Sequence, residues 1–265
     1  MNQYGIFAWF GYILPMKVRL KLIREAGFGS VMLWWGDEFA DLDGDKTRHP
    51  DLARRHGLRV ENAHAPYSRA NDLWEGGVNG DSYEAKLAEH IQSCSDNGIP
   101  TLVIHPSEGP NPTLPAGEAG IQRLMRLLGL AARCGVTLAL ENMRRSDDLA
   151  AAFTRLKDEH LGFCYDCGHD FAVSGNLNLI GQYGHRLKAL HLHDNDGSED
   201  QHLVPGEGHI KWESLRSGLV RLKYEGALTL ECCAPWRADM DESRREAPAD
   251  YLRRAFDAVG RYFPS

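Results

Sequence analysis

The sequence predicts a (β/α)8 TIM barrel, one domain over residues 1–265, on three observations. Eight short apolar runs recur, in a pattern of apolar run, loop and longer amphipathic stretch. Several runs (VMLWW, TLVIH, VTLALE, ALTLE) are apolar on both faces, as strands of a parallel sheet covered on both sides must be. No linker, low-complexity tract or composition shift divides the chain. Eight strands alternating with about eight helices in this length is the signature of a closed barrel. A doubly wound open sheet would need fewer strands and a Gly-rich first turn, and no G-x-G-x-x-G follows the first run.

In chain order the expected strands are 5–10, 30–35, 59–65, 101–105, 136–141, 161–165, 187–193 and 227–232. Between them, 16–26 sets Val18, Leu20, Leu22 and Ile23 among charges behind Pro15, a residue suited to a helix start. Segments 82–95 and 119–133 carry apolar residues at three- and four-residue spacing, and Gly98 and Gly135 stop them. Ser146-Asp147-Asp148 caps a helix to about Leu156. Helices over 212–224, ahead of Gly226, and 250–262 close the pattern. Arg244-Arg245 and Arg253-Arg254 read as the solvated face of the last one.

Hydrophobic residues make up 43% and charged residues 25%, an ordinary globular balance. Thirty Lys+Arg against 37 Asp+Glu leave a formal charge of −7, which weighs against nucleic-acid and anionic-membrane partners. No apolar run is long enough to span a bilayer, and Met1-Asn2-Gln3-Tyr4 lacks a secretory signal, so a cytoplasmic location is expected. The six cysteines form no disulfide framework and read as reduced thiols, Cys164-x-x-Cys167 included. Asp41-x-Asp43-Gly44-Asp45 only faintly suggests a calcium loop: its Gly falls at the wrong position and Leu52 replaces the bidentate Glu.

A barrel carries its site at the C-terminal ends of its strands. Here the third strand ends at His64, the fourth at His105 and the fifth at Glu141. The sixth runs into Asp166 with His169 three residues on. The seventh gives His191, His193 and Asp194, followed by Asp200, His202 and the turn Pro205-Gly206-Glu207-Gly208, and the eighth ends at Glu231. Six consecutive strands therefore end in a carboxylate or an imidazole. One strand-end His is more often just a hydrogen-bonded residue. Several carboxylates converging in a narrow mouth, however, would cost several kcal/mol each in desolvation and repulsion. No Arg closes strands three to eight, so a divalent cation is the economical compensation. Mixed His and carboxylate donors suit Zn²⁺, Mn²⁺, Co²⁺ or Fe²⁺ better than Ca²⁺. Asp200-x-His202 places two ligand-type side chains on one side of an extended segment, and Gly168 permits a tight backbone between Asp166 and His169.

Taken in order, His64-Ala65-Pro66-Tyr67, Leu140-Glu141-Asn142, Asp166-x-x-His169, His191-Leu192-His193-Asp194-Asn195, Asp200-x-His202 with Pro205-Gly206-Glu207-Gly208, and Leu230-Glu231 resemble the xylose isomerase-like TIM-barrel superfamily over about the whole chain. That group spans sugar phosphate isomerases and epimerases, ketose 3-epimerases and AP endonuclease family 2. The resemblance implies a metal held by Glu141, Asp166, His191 and Glu231. It also implies His169 on the substrate. The strand-end His64 and His105 are expected beside it, and of Trp9, Trp34, Trp35 and Trp74, most of which such a chain buries in its core, Trp34 is expected to pack on the apolar face of the sugar. In the endonuclease branch nine residues hold three zinc ions. The matching positions add His64, His105, His169, Asp200 and His202 to the tetrad, so the set has room for one to three metals.

The activity implied is a metal-dependent isomerase or epimerase of a sugar or sugar phosphate. Proton transfer would run through a metal-bound enediolate, with Glu141 and Glu231 as the acid–base pair. The alternative is a multinuclear-metal phosphodiesterase like AP endonuclease family 2. The acidic loop Gly36-Asp37-Glu38-Phe39-Ala40-Asp41-Leu42-Asp43-Gly44-Asp45 stands where basic DNA-inserting residues would be needed. Ala189 departs from the ketose 3-epimerases, which tend to carry another His there. Relatives often pair through barrel loops, which leaves a homo-oligomer open.

Overall fold

All eight apolar runs form strands: β1 Tyr4–Phe7, β2 Ser30–Trp34, β3 Arg59–His64, β4 Thr101–Ile104, β5 Thr137–Glu141, β6 Leu161–Asp166, β7 Leu187–His191 and β8 Leu228–Leu230. The computed structural model describes residues 3–109, 115–143, 146–172, 178–235 and 245–264. The strands pair in parallel in the order β7-β6-β5-β4-β3-β2-β1-β8. Closure between β7 and β8 is one parallel bridge, Leu192 to Leu230. Leu192 N–H donates to Thr229 O and Glu231 N–H to Leu192 O, both at 2.9 Å. The result is a barrel that is nearly closed, as the strand count requires.

The helices α1 Met16–Glu25, α2 Ala40–Asp43, α3 His49–Arg55, α4 Val78–Asp96, α5 Glu118–Cys134, α6 Asp147–Arg155, α7 Cys167–Ala172, α8 Leu179–Tyr183, α9 Trp212–Leu222 and α10 Pro248–Tyr262 connect them. Gly135 ends α5 in the left-handed conformation (φ 65°), as its place predicts. None of the described helices is long and apolar enough to cross a membrane.

Three expectations are corrected. The first strand leaves its ladder at Phe7; Phe10 is apolar because it packs in the core against Tyr12 and Tyr251. Arg245 precedes α10 and is not on its face: its guanidinium sits 4.0 Å over the Tyr12 ring and donates to Gly11 O. Arg244 lies outside the described residues. The segment after Asp166 is helical (α7), and the space its Gly168 provides has a different use, described below.

The interior is built in steps of two residues. Val103, Ala139, Cys164 and Ala189, from β4 to β7, form a small buried cluster of their own inside the barrel. Side chains two residues apart on a strand share a face. The next inward positions are therefore His105, Glu141, Asp166 and His191, and the same step from buried Asn62 and Thr229 reaches His64 and Glu231. Small side chains plug the barrel, and the polar residues stand above the plug. Ala189 belongs to the plug.

Arg19 ties this rim to the outer shell. It is buried, donates through Nε to Leu14 O (2.8 Å) and through Nη1 to Ala8 O (2.9 Å), and is paired with the buried Asp43 carboxylate. Replacing it by Leu strands Asp43 without a cation and leaves two carbonyls unsatisfied. The loss expected in urea denaturation is about 3–5 kcal/mol, and a loss below about 0.5 kcal/mol would contradict this account of the loop.

Candidate active site

Glu141, Asp166, His191 and Glu231 each offer a ligand atom within 4.8 Å of the others, and all four residues are buried. His191 has no solvent exposure; its Nδ1 lies 3.1 Å from Glu141 Oε2 and 3.4 Å from Glu231 Oε2. Neither ring nitrogen of His191 has a hydrogen-bond partner with acceptable geometry. A buried imidazole facing two carboxylates without hydrogen bonds is costly as a plain polar residue. It is what a shared cation needs, and the two oxygens, one nitrogen donor and further carboxylate suit a divalent transition metal.

The surroundings fix these groups. Asn142 continues the β5–β6 ladder with its side chain: Nδ2 donates to Asp166 O and Asp166 N–H donates to Oδ1, both at 2.8 Å. The Asp166 carboxylate accepts His169 N–H at 2.7 Å, and both its oxygens lie 3.1 Å from His193 Nε2. Asp194 anchors the following loop by accepting Gly206 N–H (2.8 Å), Ile210 N–H (3.0 Å) and Trp212 Nε1–H (2.8 Å).

Electrostatics follow the same plan. Burial opposes charge on Glu141, but His191 and His105 outweigh it and hold the carboxyl well below its usual range. Burial likewise opposes charge on Asp166, and the His169 and His193 imidazoles push it down to about 2. Burial disfavours protonating His191, yet Cys164, Glu231 and Glu141 raise it well above its ordinary value. His105 is the exception: burial wins there and pushes it down to about 4.

The other expected residues gather beside the tetrad. His64 Nε2 lies 3.1 Å from His105 Nε2 and 3.3 Å from Glu141 Oε2, with His105 Nε2 3.4 Å from the same oxygen. His169 reaches Glu141 Oε1 at 3.2 Å through Nδ1 and Asp200 Oδ2 at 3.1 Å through Nε2. His202 meets Asp200 Oδ2 at 3.2 Å; its φ of 49° is left-handed, so this stretch is not simply extended. Ligand atoms of His64, Glu141 and His191 lie within 4.8 Å of one another, and so do those of His193, Asp200 and His202. Trp34 stacks on His64 with centroids 5.5 Å apart, whereas Trp35 and Trp74 are core residues.

His64, His105, Glu141, His169, Asp200, His202 and Glu231 line a cavity of about 520 Å³, whose apolar walls include Phe7, Trp9, Trp34, Phe39 and Tyr67; Asp166 and His191 lie behind that lining. Among its described lining residues there is no Lys or Arg.

One residue of the cluster was outside the expected site set: His193. It is fully buried, bridges the Asp166 oxygens and stacks on His202 at 4.1 Å. The two-residue step from His191 is the signal that could have found it. Gly168 exists for its sake: its backbone is not left-handed, but an added Cβ would fall within 2.6 Å of three His193 ring atoms.

Comparison with known proteins gives a consistent picture. A family model described as xylose isomerase-like TIM barrel matches residues 20–258. Fructoselysine 3-epimerase of Shigella flexneri is 34% identical, the alignment covering 98% of each chain. Among solved structures, D-psicose 3-epimerase with D-tagatose from Clostridium cellulolyticum H10 superposes with a TM-score of 0.74 at 16% identity, covering 98% of both chains. D-allulose 3-epimerase from Methylomonas sp. gives 0.77 at 17% identity, with 99% of this chain and 97% of that one covered. At those identities the structural likeness speaks for the fold.

Gly168→Ala is predicted to force His193 off Asp166 and to cost about 1–3 kcal/mol in stability, read by chemical denaturation. The His193 imidazole resonances should shift in NMR spectra. Unchanged stability together with unchanged resonances would mean the contact is not tight.

Proposed function

The chain belongs to the xylose isomerase-like TIM barrel family, and from that premise we propose that it is a metal-dependent epimerase of a ketose. We read the whole chain as one such barrel. The observation that carries the proposal is that Glu141 and Glu231, from the ends of β5 and β8, reach the same buried His191 nitrogen at 3.1 and 3.4 Å beside one cavity. The 3-epimerase named among its relatives supports the reaction type.

Glu141, Asp166, His191 and Glu231 are the residues to hold the ion. When bound, it would polarise a ketone and its neighbouring hydroxyl and so acidify the C–H between them. One glutamate takes that proton and leaves an enediolate; the other returns a proton to the opposite face of the same carbon, inverting it. Glu141 is placed to act as base, and an ion held by the four residues would favour its ionised form against burial. His169 is held between Glu141 Oε1 and Asp200, where its ring can orient sugar hydroxyls. His64 and His105 line the same wall, and Trp34 offers a flat face for the apolar side of the sugar.

One observation favours the rival phosphodiesterase: His64, His105, His169, Asp200 and His202 converge around the tetrad and could hold further ions. The absence of Lys and Arg from the described cavity lining weighs against a phosphodiester substrate.

With a ketose in D₂O, the metal-loaded protein should exchange the carbon-bound hydrogen, and a chelator should stop exchange until metal is restored. Glu141→Gln and Glu231→Gln should each slow exchange by about 10²–10⁴-fold. Metal content of each variant is measured alongside. A metal-loaded variant with full exchange removes that glutamate from the acid–base role.

A further inference from the structure

A cavity larger than the one at the strand ends, about 630 Å³, lies outside the barrel between α7, α8 and α9. The two share no described lining residue. Tyr165, which lines the outer groove, neighbours Asp166 on β6 and so points to the opposite face of that strand. We propose that this groove is a second ligand site, which takes an organic anion with a flat apolar body. The inference rests on the groove alone and stands or falls separately from the ketose reading.

One wall is a polar stripe along α9. Lys211, Ser214, Gly218 and Arg221 follow one another at spacings of three, four and three residues, which sets them on one helix face. Gly218 forms the floor. A glycine inside a helix is destabilising, and this one is not in the left-handed region, so its place needs another reason. A Cβ added there would meet only Ile180 Cγ2 at 3.3 Å and Arg221 Nη2 at 4.0 Å outside its own helix backbone. No backbone of another segment presses on it. What the missing side chain leaves is open floor, and the Arg221 guanidinium folds back over that floor instead of pointing away from the helix end.

The other walls are apolar, with the Tyr165 and Phe171 rings beside Ile180, Leu215 and Leu222. Charge sets the sign of the ligand. Lys211 and Arg221 are exposed, and neither side chain has an ion pair or hydrogen bond among the described residues. Asp170 is the one carboxylate among the described lining residues, and its Oδ2 accepts Tyr165 Oη–H at 2.9 Å. Two cations against one acid give the groove a positive balance in a chain of net charge −7. The strand-end cavity has the reverse, carboxylates without Lys or Arg among its described lining residues. A guanidinium binds carboxylate, sulfonate or phosphate oxygens through its fork and stacks on flat π faces. A cleft of this size with apolar walls and a few converging polar groups suits a small molecule.

The test uses two dyes with the same rings, one anionic and one neutral: 8-anilinonaphthalene-1-sulfonate and N-phenyl-1-naphthylamine. Binding to the metal-loaded protein is read by dye fluorescence. The sulfonate should bind saturably and about tenfold more tightly than the neutral dye, a preference that salt reduces. Arg221→Gln and Lys211→Gln should each shrink that preference several-fold. Gly218→Leu fills the floor and should abolish binding of both dyes, while the better helix former leaves the urea midpoint unchanged or higher. If Gly218→Leu fails to fold, the exposed Arg221→Gln carries the test. No saturable binding of the sulfonate, equal binding of the two dyes, or an unchanged preference in both Arg221→Gln and Lys211→Gln overturns the inference. Displacement of the sulfonate by a ketose puts the dye at the strand ends and overturns it as well.

Discussion

Glu141, Asp166 and Glu231 bring three carboxylates into a space that excludes most water, and His191 stands among them with neither ring nitrogen hydrogen-bonded. Such a set is unstable by itself. Each carboxylate loses hydration on burial, and like charges at this separation repel one another. Without an ion, protonated histidines share the compensation, which is why His169 and His191 are raised above their ordinary values while burial opposes it. A divalent ion would do the same more completely and would satisfy the unbonded nitrogen.

The barrel supplies the convergence by simple register. Small residues at Val103, Ala139, Cys164 and Ala189 fill the inside, and the next inward side chain on each of those strands is a ligand type. Glu141, Asp166 and His191 are the last residues of β5, β6 and β7, and His105 follows β4 by one residue, so no long loop is needed to present them. Loops supply the second layer. Asp194 gathers the backbone of the segment that carries Asp200 and His202, and Arg19 with Asp43 fastens the segments behind Trp9 and Phe39.

Most of this is written in the chain because period-two strands and strand-end polar residues are local patterns. The eight strands, and the approach of Glu141, Asp166, His191 and Glu231, need only that logic. What escaped depends on contacts distant in sequence. His193 gains its place from Asp166, 27 residues earlier, and Gly168 is glycine because of that imidazole. Arg245 reads as one more helix-face charge until the Tyr12 ring, 233 residues away in sequence, appears beneath it. Phe10 extends an apolar run although the ladder has ended, because burial and strand pairing leave the same mark on composition.

Anomalous diffraction from crystals grown with Mn²⁺ or Zn²⁺ tests the central claim most directly. The account predicts a peak about 2.0–2.3 Å from one atom each of Glu141, Asp166, His191 and Glu231. A map with no peak among these four residues at saturating metal, and with His191 hydrogen-bonded to the carboxylates instead, would contradict it.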